Sequence, residues 1–192
     1  MIKSKSIILF SIITAIVICG CEGEKLVPKP VGYFRIDLPD HKYATKNPDC
    51  PFELSVSEHA YMEYFEDTPC WFNVAYPELN AKIHLTYKPV FNNLREYIEE
   101  SRSFAYEHQV KAVRIDSELI INEEESVYGL IYDLGGNVAS PYQFYITDST
   151  NHFLRGSVYF RARPNSDSIS PALNYIKEDV RHMLQNFTWA DQ

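Results

Sequence analysis

The chain has 192 residues and a net charge of −8, with 26 acidic against 18 basic side chains, which argues against nucleic acid and against charge-driven docking on anionic lipid. Aromatic residues make up 14 % and only seven residues are glycine, so a low-complexity chain is excluded and a packed core is required.

Lys3 and Lys5 precede an apolar run over residues 7–18, which ends in Ile18-Cys19-Gly20-Cys21. A positive start, a short apolar stretch and a small residue before the cleavage point are the parts of a secretory signal. The run is about a dozen residues, short of the roughly 20 that a membrane-spanning helix needs. Lipoprotein processing requires Cys at the first mature position, a small residue just before it and commonly an aliphatic two places further back. Gly20 and Ile18 meet this for Cys21, whereas Cys19 would follow Ile18 directly. Residues 1–20 are therefore expected to be a lipoprotein signal peptide and Cys21 the lipid attachment site; the competing reading is a secreted protein whose leader happens to end in Cys. Each buried methylene contributes about 0.8 kcal/mol, so one acyl chain is marginal and two or three anchor stably. The expected place is the cell envelope, with lipid in the outer or inner membrane and the domain in the periplasm. Loss of Lys3 and Lys5 with the leader makes the mature chain more acidic still.

Residues 21–32, with Pro28 and Pro30 among polar neighbours, cannot continue a helix and are expected to be a lipidated tether. Residues 33–192 are then one globular domain. Cys19 leaves with the leader and Cys21 is alkylated, which leaves Cys50 and Cys70. In an oxidising compartment a disulfide between them is the default, and closing a loop of about 20 residues stabilises by about 3 kcal/mol. Two buried free thiols are the alternative. A catalytic pair is disfavoured because the spacing is not C-x-x-C.

Phe52, Leu54 and Val56 alternate with Glu53, Ser55 and Ser57, the period-2 pattern of a half-buried strand. Further strands are expected at 61–65, at 71–76, and where Ile83, Leu85 and Tyr87 alternate with Lys82, His84 and Thr86; Pro77 and residues 78–80 fit a turn. The period then changes. Leu94, Tyr97, Ile98, Ser101, Ala105 and His108 share one face of a helix of about four turns. Strands resume at 113–121 and 127–134, separated by the solvated turn Glu123-Glu124-Glu125, and Gly135-Gly136-Asn137 offers positive φ for a hairpin. Tyr142, Phe144 and Ile146, then Leu154, Gly156, Val158 and Phe160, mark two more strands. A final helix is expected to start near Ser170-Pro171 and to bury Leu173, Ile176, Val180, Leu184 and Phe187. Neighbouring strands lie close enough for antiparallel hairpins, so the fold class is α+β, a single antiparallel β-sheet with helices packed on it.

No Walker loop, G-x-G-x-x-G, G-x-S-x-G or H-E-x-x-H is present, and the six histidines stand at no zinc-binding spacing. No catalytic residue, metal ligand or cofactor is expected. The last two strands carry a distinctive second face: Gln143, Tyr145 and Thr147 on one, Arg155, Ser157, Tyr159 and Arg161 on the other. Arginine and tyrosine are favoured in interface hot spots, which makes Tyr145, Arg155, Tyr159 and Arg161 candidate partner-binding residues. The alternative is that a helix covers this face and the arginines reach past it to surface carboxylates.

Several blocks, in order, resemble the gliding-motility lipoprotein GldD family of Bacteroidetes: Pro28-Lys29-Pro30-Val31-Gly32-Tyr33-Phe34-Arg35-Ile36-Asp37-Leu38-Pro39, Cys50-Pro51-Phe52, Cys70-Trp71 and Lys82-Ile83-His84-Leu85. So do Tyr142-Gln143-Phe144-Tyr145-Ile146-Thr147-Asp148-Ser149, His152-Phe153-Leu154-Arg155-Gly156, Pro164-Asn165-Ser166-Asp167-Ser168 and Phe187-Thr188-Trp189. The resemblance implies an envelope lipoprotein required for surface gliding and linked to type IX secretion, with other envelope proteins of that machinery as partners. It implies no enzymatic activity and supplies no catalytic residues; Cys21 and the Cys50/Cys70 pair alone map with a chemical role. A match that extends into Tyr33, Phe34 and Arg35 makes them candidate docking residues too. The expected function is a membrane-anchored, non-catalytic assembly component, with a periplasmic glycan-binding module or hydrolase as the alternative and a disulfide oxidoreductase disfavoured.

Overall fold

The computed structural model describes residues 36–68 and 70–190, so Cys21, the tether, Tyr33, Phe34 and Arg35 lie outside the described residues. Among these residues are ten strands and two α-helices. In chain order they are β1 (Tyr43–Lys46), β2 (Phe52–Ser57), β3 (Tyr61–Tyr64), β4 (Trp71–Tyr76), β5 (Ala81–Pro89), α1 (Leu94–Tyr106), β6 (Ala112–Asn122), β7 (Val127–Gly136), β8 (Tyr142–Thr147), β9 (His152–Phe160), α2 (Ser166–Gln185) and β10 (Thr188–Trp189).

The strands form two antiparallel sheets, which corrects the expectation of one. Seven strands run in the order β3-β4-β5-β9-β8-β7-β6, and three in the order β1-β2-β10. The reason lies in β2. Its Phe52 and Glu53 pair with Trp189 and Thr188 at the far end of the chain, while Leu54 to Ser57 pair with β1 on the other side. β2 thus pairs with β1 and β10 and not with β3. The Cys50–Cys70 disulfide, with Cα atoms 5.6 Å apart, ties the approach to β2 to the approach to β4 and so links the two sheets.

The period-2 pattern sends one set of side chains from the large sheet into the main core: Phe72, Val74, Ile83, Leu85, Phe144, Ile146, Leu154 and Val158. There they meet Phe52 and Leu54 of the small sheet and the expected α2 stripe of Leu173, Ile176, Val180 and Leu184; Phe187 follows the helix and is fully buried. Burying each such side chain contributes about 1.5–3 kcal/mol. Gly156 is required here, because a Cβ would stand 2.0 Å from the Phe144 ring carbon Cζ. On the opposite face a smaller core joins Tyr132, Leu134, Tyr145 and Phe153 to Leu94, Tyr97, Ile98 and Ala105 of α1.

Two local expectations also shift. α2 begins at Ser166, four residues before Ser170, because the Asn165 side chain accepts from the Asp167 and Ser168 amides and satisfies two N-terminal donors; Pro171 lies inside the helix. Gly135 and Gly136 are not the hairpin turn but the end of β7. They pair with Arg114 and Ala112 across a bulge, where Gly136 takes φ 109° and a Cβ would meet the Lys111 carbonyl at 2.8 Å.

Candidate functional site

Antiparallel register aligns the outward side chains of the large sheet in rows across the strands. The first row is Tyr61, Ala75, Lys82 and Tyr159, and the second is Glu63, Asn73, His84 and Ser157. The third is Trp71, Thr86, Arg155 and Tyr145. Helix α1 reaches the third row, where Phe104 lies 4.5 Å from the Arg155 guanidinium. The first row, with Glu63, Asn73 and His84 of the second, lines an open groove of about 560 Å³. Strands about 4.8 Å apart put Tyr61 and Tyr159 about 14 Å from each other, with the small Ala75 between them as floor.

The centre of the groove is a fixed polar network. Lys82 Nζ donates to Glu63 Oε2 at 2.6 Å, Asn73 Nδ2 donates to the same oxygen at 3.1 Å, and Tyr61 OH donates to Oε1 at 3.0 Å. The bond from Lys82, with that from Asn73, holds the Glu63 carboxyl down at about 2, and the bond to Glu63 raises the Tyr61 phenol. His84 stands edge-on to Tyr159 with ring centroids 4.8 Å apart. Partial burial, helped by the Lys82 charge, pulls its imidazole below the ordinary histidine value. Asn73 is only 5 % exposed, and among the described residues its Oδ1 has no hydrogen-bond partner; the Ser157 hydroxyl, buried outside the groove lining, has none either. At the rim, Arg161 is exposed and forms no ion pair among the described residues.

Of the candidate partner-binding residues, Tyr159 and Arg161 meet in this groove, whereas Tyr145 and Arg155 lie beneath α1. Tyr145 stacks on Phe153 at 5.5 Å, and burial pushes its phenol up to about 12. Arg155 donates to Gln143 Oε1 at 2.9 Å, and burial lowers its pKa. Tyr61, Glu63 and Asn73 were not singled out from sequence. A signal for them exists: Tyr61/Glu63, Asn73/Ala75 and Lys82/His84/Thr86 are the polar or small halves of three consecutive alternating strands, the mark of a face no helix covers.

Two further features were hidden by long sequence separation. Buried Asp179 of α2 accepts from Tyr43 OH at 3.0 Å and lies 2.6 Å from His41 Nδ1, whose Nε2 is 2.8 Å from Glu178. Tyr43 stacks on His182, which bonds Ser55. This cluster clamps the segment before β1 onto α2 and is filled by its own side chains. The second feature is β6, which ends the large sheet with no strand on its outer side among the described residues. Its Glu118 forms a two-pronged pair with Arg181 of α2, at 2.6 and 2.7 Å. On the opposite face Val113, Leu119 and Ile121 are 87 %, 71 % and 64 % exposed.

No helix among the described residues is long and apolar enough to cross a membrane. The chain matches no curated protein. Residues 23–189 match the family described as gliding motility lipoprotein GldD, which covers both sheets, both helices and the groove. The chain therefore belongs to the gliding motility lipoprotein GldD family, whose members are lipid-anchored proteins of the cell envelope associated with gliding.

Proposed function

We propose that this protein is a non-catalytic assembly component of the gliding apparatus, linked to type IX secretion, and that it holds a protein partner through edge strand β6. The observation that carries this reading is the edge itself. β6 has eleven residues and an outward apolar row, while β3, at the other edge of the sheet, has only four residues. Natural sheets usually blunt their edges with short strands, bulges or charge, because unpaired main-chain groups template further pairing. The bulge at Ala112/Arg114 blunts only one end of β6, and beyond it a strand could add, gaining main-chain hydrogen bonds and apolar neighbours in Leu119 and Ile121. The lipid expected on Cys21 would keep that edge beside the envelope machinery.

A binding role without catalysis fits the chemistry of the groove. A glycosidase works with two carboxylates about 5–9.5 Å apart, one of them able to hold a proton. Among the described residues Glu63 is the one carboxylate lining the groove, and its three donors keep it ionised. Affinity capture from crosslinked cells tests the proposal, using wild type, Cys21→Ser and a Leu119→Lys/Ile121→Lys double variant. Wild type is expected to retain gliding or secretion proteins that the double variant loses while its thermal unfolding stays within a few degrees. Equal capture by the double variant would refute the role of β6.

A further inference from the structure

We infer that the groove on the open half of the large sheet is a saccharide-binding site whose ligand is a strand of pyranose rings bearing carboxylates. This goes beyond the assembly role and does not rest on it, since β6 and the groove lie at opposite ends of the seven-stranded order.

The aromatic geometry comes first. Tyr61 and Tyr159 are 51 % and 37 % exposed and stand at the two ends of one cross-strand row, carried on strands and not on loops. Such rings offer flat apolar faces at low conformational cost, which suits the C–H faces of sugars that follow one another along a chain. The floor between them is Ala75, with Lys82 and His84 beside it and Tyr76, Pro77, Ala81 and Phe160 completing the lining. A groove of about 560 Å³ falls within the ~300–1,000 Å³ of ligand sites.

The unmet hydrogen bonds point the same way. Asn73 lines the groove and is nine-tenths buried; its amide nitrogen is committed to Glu63, and its buried Oδ1 has no donor among the described residues. A buried acceptor left without a donor is unfavourable. In the same row, the exposed His84 imidazole lines the groove and has no hydrogen-bond partner among the described residues. An amide acceptor and an imidazole side by side suit a ligand whose groups both donate and accept. Vicinal sugar hydroxyls have that property.

Charge selects among sugars. Lys82 is neutralised by Glu63, but Arg161 at the rim and Arg163 beyond it are exposed and meet no carboxylate among the described residues, on a chain whose net charge is −8. A carboxylate on the ligand completes the guanidinium as no neutral sugar can. Both cell-wall glycan, through muramic acid, and secreted polysaccharide, through uronic acid, present this chemistry.

Calorimetry on the full-length lipoprotein in detergent micelles decides the matter with three probes. These are tetragalacturonate, the tetrasaccharide of alternating N-acetylglucosamine and N-acetylmuramic acid, and neutral chitotetraose. At least one acidic probe is expected to bind ten-fold or more tightly than chitotetraose, and which one identifies the source. Tyr61→Ala and Tyr159→Ala should each weaken it ten-fold or more, Tyr159→Phe should restore most of the loss, and Arg161→Gln should erase the preference for the acidic probe. Leu119→Lys/Ile121→Lys should leave sugar binding unchanged, so a failure of the β6 reading is distinguishable from a failure of this one. Absence of acidic-probe binding at millimolar concentration, or binding indifferent to Tyr61→Ala and Tyr159→Ala, would overturn the site. Equal affinity for chitotetraose would overturn its selectivity for carboxylates.

Discussion

One face of the large sheet carries two halves written in the same alternation. Across β7, β8 and β9, Tyr132, Tyr145 and Phe153 are roofed by α1 and form a second small core. Across β3, β4 and β5, Tyr61, Glu63, Asn73, Lys82 and His84 face an open groove. Strand β9 belongs to both, with Phe153 and Arg155 under the helix and Tyr159 beyond its reach. The same residue type thus stabilises the fold in one half and is left available for a ligand in the other. The two halves differ in what lies over them: α1 packs on Tyr145, Phe153 and Arg155 and does not line the groove.

The contrast can be broken most sharply by truncating one aromatic from each half. Phe153→Ala, beneath α1, removes a side chain only 1 % exposed and is expected to cost about 3–5 kcal/mol. Tyr61→Ala, in the groove, should stay within about 0.5 kcal/mol of wild type. Urea midpoints of the two variants measure the difference directly. Comparable losses would mean that the groove residues belong to the core after all.

The arginines give a smaller version of the same comparison. Arg155→Gln leaves the Gln143 side-chain oxygen without its donor and uncovers Phe104, at an expected cost of about 1–3 kcal/mol. Arg161→Gln, at the rim, should leave stability within about 0.5 kcal/mol of wild type. Equal unfolding free energies for the two variants would break the assignment of one to packing and the other to the groove.

These two arginines also show what the sequence could reveal and what it could not. Arg155 and Arg161 share a strand face by simple periodicity, and that much was legible, as were most strands and both apolar helix stripes. Where α1 stops over β9 depends on packing at a distance and leaves no local trace. The second sheet was invisible for a related reason: β10 is two residues long, and its partner Phe52 lies 137 positions earlier than Trp189. No periodicity can be read from two residues. The clamp of His41 and Tyr43 on Asp179 spans a similar separation, and nothing in its spacing distinguishes it from scattered surface groups. The groove could have been anticipated from the polar alternation of β3 to β5, because a strand that is apolar on one face only must have left the other uncovered.

The finest distinction between the halves is the pH at which each responds. In the covered half, burial pushes the Tyr145 phenol up to about 12 and also raises Tyr132. A phenol whose folded pKa exceeds the unfolded value of about 10 keeps its proton in the folded chain and loses it in the unfolded one. Its contribution is therefore present at neutral pH and is lost as pH rises through about 10 toward 12. In the open half the sign reverses. Glu63 is held down at about 2 by Lys82 and Asn73, and His84 is lowered by partial burial, so the unfolded chain takes up protons first as pH falls. Stabilisation weakens below about 6.5 for His84, and for Glu63 from about 4.3 down to about 2. Both side chains are partly open to water, so the energies are small and site-resolved NMR is the proper measurement. His84 is expected to titrate below its ordinary value, and the Glu63 midpoint should rise in Lys82→Met, whose side chain cannot donate. Tyr145→Phe should blunt the alkaline loss of stability and leave both acid titrations where they were. A shift of the His84 midpoint in Tyr145→Phe would instead mean that α1 couples the two halves, and that the groove is shaped by the roof beside it.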